Sequence, residues 1–313
     1  MSRVKPHEAA TEDRDTADHD QMEPSLAKYF ETEPRTRIKV DVAGKTHPGL
    51  VRQNNEDQYL VVRRHRGREI LATSLPTEIL DPATDHAYTF AVADGLGGQQ
   101  FGEIASLLAL RNGFELGGDE IKWTVRLNDH EIRELQNKAE VFCQYLDESL
   151  RAEIRDHPRL KGMATTLTLC YTTGPNLFTV HIGDSRAYLY RDGILRQLTR
   201  DHTLGQQLID LGEAEPQSPE VRRFRHVLTN CIGGSEAKVF ADFDHYELAH
   251  GDVLLLCTDG LYEMAKKAEI ASILSKDQPM KDACEQMLDL ALTKGGKDNV
   301  TVVAARFEFD GDR

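Results

Sequence analysis

The sequence predicts an α+β fold, in which layers of antiparallel strands pack against a smaller number of helices. Short β-rich segments outnumber helical segments, and the helical segments are grouped instead of alternating strictly with strands. No repeat of about 20–50 residues is visible. The chain has 313 residues, a length at which roughly three quarters of the surface of the unfolded chain becomes buried. These observations favour packed layers over a parallel doubly wound sheet.

The first segment, residues 1–36, is rich in Glu, Asp, Thr and Pro and contains few apolar residues. A segment of that composition cannot bury enough apolar surface to offset the entropy lost on ordering. We therefore predict a disordered extension over residues 1–36, followed by one domain over residues 37–313. Partner binding through Leu26, Tyr29 and Phe30 is the alternative for the extension.

The first half of the domain combines short strand patterns with two helical patterns. Apolar residues at helical spacing predict both helices, and Pro158 marks the end of the second. The region between the helices, residues 112–128, is the least regular. The predicted strands cover residues 38–42, 58–63 and 89–93, and the predicted helices cover residues 101–110 and 129–156.

The second half of the domain begins with three strand patterns that predict an antiparallel meander over residues 166–191. Turn-forming residues separate these strands at residues 173–176 and 191–193. Further along, the pattern predicts a short helix at residues 204–211, a loop at 213–220, strands at 252–257 and 301–309, and two helices within 263–293.

Charge and cysteine content narrow the class of protein. The formal net charge of −14 argues against nucleic-acid binding, which depends on clustered Lys and Arg. The five cysteines are odd in number and show no CxxC spacing, so neither a disulfide framework nor a zinc site is predicted. No apolar stretch approaches the ~18 residues typical of a membrane span, and no signal peptide is apparent. We therefore predict a cytoplasmic protein without a membrane anchor.

Acidic residues recur at the ends of predicted strands, each Asp beside a small or turn-forming residue. Carboxylate oxygens at such positions are the ligands that hard divalent cations prefer. One Asp-Gly pair alone more often marks a tight turn, but several such sites in one chain favour a metal site. This pattern does not specify the reaction. The residues are Asp94, Asp184, Asp259 and Asp298, with Glu56 and Asp57 as a fifth acidic site before a strand.

The ordered segments around these carboxylates resemble the type 2C, or PPM, family of metal-dependent serine/threonine protein phosphatases, particularly its bacterial branch. Each motif is weak alone, but the ordered set is specific and spans residues 38 to about 308. The segments are residues 49–57 (GLVRQNNED), 92–98 (VADGLGG), 164–167 (ATTL), 182–188 (IGDSRAY), 198–203 (LTRDHT), 251–261 (GDVLLLCTDGL) and 297–301 (KDNVT).

The resemblance implies a sandwich of two antiparallel β-sheets flanked by helices, with two or three Mn²⁺ or Mg²⁺ ions in a cleft at one end. Asp94 would bridge two ions. Residues 205–240 would form a flap beside the active site that influences substrate choice. The implied metal ligands are Glu56, acting through or beside Asp57, together with Asp94, the Gly95 carbonyl, Asp259 and Asp298, while Asp184 with Asp259 would form a more labile third site.

The implied reaction is hydrolysis of phosphoserine and phosphothreonine in proteins by a metal-activated water, in opposition to a Ser/Thr kinase. Two metal ions roughly 3.5–4 Å apart can acidify a bridging water and stabilise the attacking and leaving oxygens. Arg52 would bind the substrate phosphate through bidentate hydrogen bonds. The implied partners are phosphorylated proteins, including a cognate kinase or its targets, and a monomer is expected because the catalytic unit is self-contained.

Four residues need a separate interpretation. Leu96 stands where many eukaryotic members have a His proposed as general acid, so water or another group would protonate the leaving alkoxide. Ala164 replaces a Gly and is expected to be tolerated. For His202 we predict a hydrogen bond that anchors a loop, and for His181 a packed or partly exposed position in a strand.

Two alternatives remain at the sequence level. The first is a catalytically weak, phosphatase-like domain that binds phosphoproteins or acts as a regulator. Such relatives usually lose metal carboxylates, all of which are present here. The second is a stress-response phosphatase acting on an anti-sigma-factor antagonist, and those relatives generally lack the opening motif that runs from Arg52 to Asp57.

Overall fold

The computed structural model describes residues 38–66, 71–72, 85–97, 101–120, 128–234 and 238–309. The predicted extension, residues 1–36, lies outside this part of the chain. The chain separates into two units, residues 1–35 with 70–81 and residues 36–69 with 82–313, and every strand and helix below belongs to the second.

The described residues contain eleven strands and seven α-helices. The strands are β1 (Ile38–His47), β2 (Asp57–Arg66), β3 (Asp85–Leu96), β4 (Ala164–Thr165), β5 (Leu167–Thr173), β6 (Asn176–Ile182), β7 (Arg186–Arg191), β8 (Ile194–Gln197), β9 (Asp242–Glu247), β10 (Val253–Cys257) and β11 (Val300–Phe309). The helices are α1 (Phe101–Glu120), α2 (Asp129–Asp156), α3 (Leu204–Asp210), α4 (Pro219–Phe224), α5 (Asp259–Tyr262), α6 (Lys267–Leu274) and α7 (Met280–Thr293).

The strands form two antiparallel sheets, which confirms the predicted fold class. Sheet one has the order β1-β11-β10-β7-β8, and sheet two has the order β2-β3-β5-β6-β9 with β4 paired to β3. Strand β10 shows how they pack. Leu254 and Leu256 belong to the buried cluster between the sheets, while Val253, Leu255 and Cys257 belong to the cluster under the helices. Such alternation follows from the two-residue period of a strand.

Helices cover the outer face of each sheet. Helix α7 packs on sheet one through buried side chains that include Met280, Cys284 and Met287. Helices α1 and α2 lie over sheet two, where an apolar cavity of about 470 Å³ remains between helices and strands. Phe114 and Phe142 line this cavity from the helices. Within the described ranges, no helix is both long enough and apolar enough to span a membrane.

Several predicted elements need correction. Helix α1 continues to Glu120, so the prediction that residues 112–128 are the least regular was wrong over residues 112–120. The predicted meander was wrong at its third strand, because β7 leaves sheet two and pairs with β10 and β8 in sheet one. Gly183, with φ +107°, makes this crossover possible. The sequence analysis also missed the separate strands β8 and β9 and placed a loop where helix α4 begins.

Most of the cysteines are buried, and helix α2 has an N-terminal cap. The five cysteines are free thiols, and burial raises the pKa of Cys143, Cys257 and Cys284 to about 12. Helix α2 has the predicted bounds. Its N-cap is Asn128, whose side chain accepts hydrogen bonds from two backbone N–H groups in the first turn.

Candidate metal centre

The first two carboxylates of the site lie opposite each other on neighbouring strands. Asp57 begins β2, and its partner in the antiparallel register of β3 is Asp94. Asp57 is buried, and its Oδ2 accepts a hydrogen bond of 2.7 Å from the Thr258 hydroxyl. Its Oδ1 has no hydrogen-bond partner among the described residues. Burial raises the pKa of Asp57 to about 7. This side chain is therefore a desolvated carboxyl group with one oxygen, Oδ1, that could bind a metal ion.

Asp94 is fixed through its backbone by the two threonines that follow Ala164. Its N–H donates to Thr166 Oγ1 at 2.9 Å, and its carbonyl accepts from the Thr165 hydroxyl at 2.9 Å. Burial, followed by the charge of Asp57, raises the pKa of Asp94 well above its usual value. The requirement for the Thr pair is therefore local, since both hydroxyls hold the end of the strand that carries Asp94.

Glu56 lies against the start of helix α1. Its carbonyl accepts hydrogen bonds from Gly95 N at 3.2 Å and from the Ser106 hydroxyl at 2.6 Å. A Cβ atom on Gly102 would lie 2.5 Å from Glu56 Oε2, and one on Gly95 would lie 2.0 Å from the Gly102 carbonyl. Glycine is required at both positions because strand, helix and carboxylate approach each other so closely. A carboxylate is also stabilised by the helix N-terminus.

Asp259 and Asp298 come from two adjacent segments of sheet one. Asp259 follows β10 and begins α5, while Asp298 precedes β11. A Cβ atom on Gly260 would lie 1.9 Å from the Asn299 carbonyl, so only glycine lets the two segments meet. Burial, followed by the charges of Asp184 and Asp298, raises the pKa of Asp259 well above its usual value. The two carboxylates are therefore electrostatic neighbours.

Asn299 connects the acidic segments to each other. Its side-chain amide donates to the carbonyls of Pro48 at 2.9 Å and Asn54 at 2.8 Å. Its Oδ1 accepts from Glu56 N at 2.8 Å. One side chain thus joins the loop before β11 to the loop before β2. The sequence analysis did not identify this role, although Asn299 and Thr258 both lie in the quoted motifs beside metal-site carboxylates.

Asp184 lies in the crossover between the sheets, and its side chain is buried. Burial, and next the charge of Asp201, raises the pKa of Asp184 to about 7. The Tyr262 hydroxyl donates to its carbonyl at 3.1 Å. Asp201 itself accepts two hydrogen bonds from Arg186, at 2.9 and 2.5 Å. The charge of Asp184 also raises the pKa of Asp94 and of Asp259, so Asp184 is an electrostatic neighbour of both.

The mouth of the site carries basic side chains. Arg52 is exposed and donates to Asp298 Oδ2 at 2.6 Å. From the predicted flap, His226 places Nδ1 3.9 Å from Asp259 Oδ2, and Arg225 pairs with Glu263. The sequence analysis missed His226. Its only signal was its place in a flap segment rich in arginine.

The structure therefore brings all of the predicted site residues to one end of the sandwich. Within the described ranges, however, no three His, Cys, Asp or Glu side chains are already grouped to enclose a metal ion. One of the carboxylates, Asp298, is paired with Arg52. The donors are nonetheless oxygens throughout, desolvated and mutually repelling, and Asp57 Oδ1 is unpartnered. This chemistry fits hard divalent cations, which would relieve the repulsion.

Comparison with known proteins agrees with the fold. A family model described as protein phosphatase 2C matches residues 82–301. The chain belongs to the protein phosphatase 2C family. It is 32% identical over 271 residues to serine/threonine protein phosphatase PstP of Mycobacterium tuberculosis, a match that covers 87% of this chain and 46% of PstP. It therefore spans about half the length of that curated relative.

Two further matches, one to another protein and one to a solved structure of PstP, extend this comparison. Protein phosphatase PhpP of Streptococcus pneumoniae is 34% identical over 213 residues, which cover 67% of this chain and 82% of PhpP. A crystal structure of the PstP catalytic domain in complex with two manganese ions superposes with a TM-score of 0.67 at 32% identity. That match covers 87% of this chain and all of the solved one.

Proposed function

We propose that this chain hydrolyses phosphoserine and phosphothreonine in proteins with the help of bound Mn²⁺ or Mg²⁺. One observation carries the proposal. Acidic side chains from the starts of β2 and α5, the end of β3, the β6–β7 crossover and the segment before β11 face one site, with Arg52 at its mouth. Membership of the protein phosphatase 2C family supports the same reaction.

The proposed cation ligands follow the distribution of the carboxylates. Bound cations would supply an acidified water and stabilise the charge that develops on the phosphoryl oxygens. The chain's own task is to hold oxygen donors at that end of the sandwich. The proposed ligands are Glu56, Asp57, Asp94, the Gly95 carbonyl, Asp259 and Asp298, with Asp184 and Asp259 at a third site.

Arg52 is the proposed phosphate-binding residue. Its guanidinium reaches the centre at Asp298 while its side chain stays exposed, so a substrate can approach it from solvent. A guanidinium can donate two parallel hydrogen bonds to a phosphoryl group, which fixes the orientation of the group as well as attracting its charge. Arg52 would therefore exchange its carboxylate partner for the substrate phosphate.

We extend the proposal to the setting of the reaction. The catalytic unit would be residues 37–313, acting as a cytoplasmic monomer, with residues 205–240 as the flap. Its substrates would be phosphorylated proteins that include a Ser/Thr kinase or that kinase's targets. The likeness to PstP and PhpP supports phosphoprotein substrates.

Phosphate release from a phosphothreonine peptide tests the proposed function. The assay compares Mn²⁺, Mg²⁺ and EDTA for the wild type, for Asp94→Asn and for Asp289→Asn, a matched change at an exposed position of α7. We expect release that depends on the metal, is lost in Asp94→Asn and is retained in Asp289→Asn. A folded wild type that releases no phosphate with either metal would instead support the phosphoprotein-binding or regulatory alternative.

A further inference from the structure

His202 is a buried residue between β8 and α3 that contacts the crossover carrying Asp184. The sequence predicts a loop-anchoring role for it, and the structure shows which loop it anchors. His202 N donates to the Gly183 carbonyl at 2.7 Å, and Gly183 N donates to His202 Nδ1 at 3.2 Å. Both polar groups of the residue that precedes Asp184 are therefore held by one histidine.

The surroundings of Gly183 leave it little freedom. Its φ of +107° disfavours any other residue, and a Cβ atom there would lie 2.5 Å from the Thr166 side chain. Thr166 in turn holds Asp94 N. The backbone at Gly183 is thus packed on one side against the threonine that fixes Asp94 and hydrogen-bonded on the other side to His202. A displacement of His202 would therefore move Asp184 relative to Asp94.

The hydrogen bonds define the protonation of the His202 ring. Nε2 lies 3.1 Å from Asp242 Oδ2 and donates to that carboxylate. Nδ1 accepts from Gly183 N and from Asn230 Nδ2, the latter at 2.9 Å. A histidine that donates one ring N–H to a carboxylate has a fixed tautomer and ring orientation, as in histidines that bind a metal, and its other nitrogen is then a fixed acceptor. Asp242, at the start of β9, thereby orients the acceptor that Gly183 requires.

The same histidine also contacts the end of the flap. Thr229 N donates to the His202 carbonyl at 2.9 Å, and the Asn230 amide bridges His202 Nδ1 and the Phe240 carbonyl. Three residues before Thr229 along the flap, His226 approaches Asp259. The flap and the Asp184 crossover therefore share one buried support.

We propose that His202 is a positioning residue that holds Asp184 through Gly183 and links its position to the flap through Asn230. It thereby sets the affinity of the cation site to which Asp184 contributes. This inference rests on the proposed function, because it assumes that Asp184 binds a cation. His202 does not itself touch a cation or the substrate.

Two substitutions at His202 distinguish its hydrogen bond to Gly183 from the space that its side chain fills. The side-chain oxygen of Asn can occupy roughly the place of Nδ1 and accept from Gly183 N. Gln reaches toward Asp242 instead and leaves Gly183 N without an acceptor. Mn²⁺ binding is followed by electron paramagnetic resonance for the wild type, His202→Asn, His202→Gln and the control His245→Gln on β9. The Mn²⁺ sites that are lost in Asp184→Asn define the class of sites that depends on Asp184.

We expect His202→Gln to raise the Kd of the Asp184-dependent class about 10–100-fold, the usual effect of losing a residue that orients a metal ligand. His202→Asn and His245→Gln should stay within about threefold of the wild type, and the other sites should be unchanged. Excess Mn²⁺ should restore kcat in His202→Gln, which a general loss of packing would not allow. Equal effects of Asn and Gln, or equal weakening of every site, would overturn the inference.

Asn230→Leu provides a second test that leaves His202 in place. It should raise the Kd of the Asp184-dependent class several-fold and raise the KM for the phosphopeptide, because the flap loses its link to the crossover. An unchanged Kd would overturn the link to the flap. If the wild type binds no Mn²⁺, the proposed function fails together with this inference. If the wild type binds Mn²⁺ and hydrolyses the peptide but His202→Gln binds equally well, only the inference fails.

Discussion

The carboxylates of the candidate centre are held in two different ways. Asp57 and Asp94 are paired in the ladder between β2 and β3 and are held by threonine hydroxyls. Asp184 lies in a crossover between the sheets, where Gly183 and the side chain of His202 determine its position. The strand pair is held within a paired β-ladder, whereas the crossover carboxylate depends on His202, which also contacts the flap through Asn230. We expect the first pair to bind a cation tightly and the second site to be adjustable.

Removing one carboxylate from each group gives the largest expected contrast. Asp94→Asn should lower kcat on the order of 10³-fold and abolish tight Mn²⁺ binding, because it removes a proposed shared ligand worth several kcal/mol. Asp184→Asn should lower kcat by less and leave tight Mn²⁺ binding intact. Calorimetric titration with Mn²⁺ and peptide kinetics measure both effects. Equal loss of tight binding in the two variants would break the distinction between them.

The pH dependence of the free energy of unfolding tests His181, a buried histidine next to the crossover. Burial lowers the pKa of His181 to about 4. The unfolded chain, with a His pKa near 6.5, then binds the proton more readily than the folded chain. The free energy of unfolding should therefore fall by about 3 kcal/mol as the pH drops from about 6.5 to 4, and His181 should contribute no pH dependence above that window.

The measurement for His181 is the pH dependence of urea unfolding in the wild type minus that in His181→Asn. In the neutral state, His181 Nε2 donates to the Arg200 carbonyl and Nδ1 accepts from the Thr168 hydroxyl. Thr168 Oγ1 also lies 3.0 Å from the Ser185 carbonyl. If the difference in the free energy of unfolding does not change with pH, Thr168 donates to the Ser185 carbonyl. The folded protein then keeps a proton on both nitrogens of His181.

Thr258→Val probes the hydroxyl that holds the strand pair. The Thr258 hydroxyl donates to Asp57 Oδ2 and accepts from Thr301 N at 3.0 Å, all in a buried region. The free energy of unfolding should fall by about 1–3 kcal/mol, and tight Mn²⁺ binding should weaken about 10–100-fold. Thr258→Ser keeps the hydroxyl and should retain both properties. Urea unfolding and Mn²⁺ titration provide the readouts, and identical behaviour of Val and Ser would contradict the role of the hydroxyl.

Arg52→Lys gives the smallest expected effect. Arg52 lies at the mouth of the site, which the strand-pair carboxylates and the crossover carboxylate share. Lys keeps the charge but loses the planar pair of donors, so kcat/KM for the phosphopeptide should fall about tenfold, mostly through KM. Arg111→Lys, at an exposed ion pair with Glu115 on α1, is the matched control and should leave kinetics unchanged. If kcat falls more than 1/KM, Arg52 stabilises the transition state more than it stabilises the bound substrate.

Sequence patterns were sufficient for the parts of the fold that depend on local periodicity. Helix α2 has a regular apolar stripe and an Asn cap, so both of its bounds could be predicted. That β7 joins sheet one could not be predicted, because it depends on the crossover at Gly183 and on pairing with the distant strand β10. Strand β9 was missed because its Asp, His and Glu residues are half exposed at the edge of sheet two.

The same limit applies to the candidate site. The acidic residues could be chosen from the sequence because each has a turn-forming neighbour and a place in a recognisable motif. The supports could not, because the contacts of Asn299 with Pro48 and Asn54 join residues about 250 positions apart. The roles of His202 and His226 likewise depend on how the flap meets the crossover. No local pattern carries that information.

The cavity over sheet two has a consequence for how the molecule opens. Helix α7 seals sheet one with fully buried Met280 and Met287, whereas Phe114 on α1 is 52% exposed beside the cavity. Amide hydrogens report local opening, and loosely packed layers open at a lower free energy than sealed ones. We expect exchange with deuterium to be faster along α1 and α2 than along α7. Because the start of α1 lies against Glu56, the metal-binding end would loosen first on the side of sheet two.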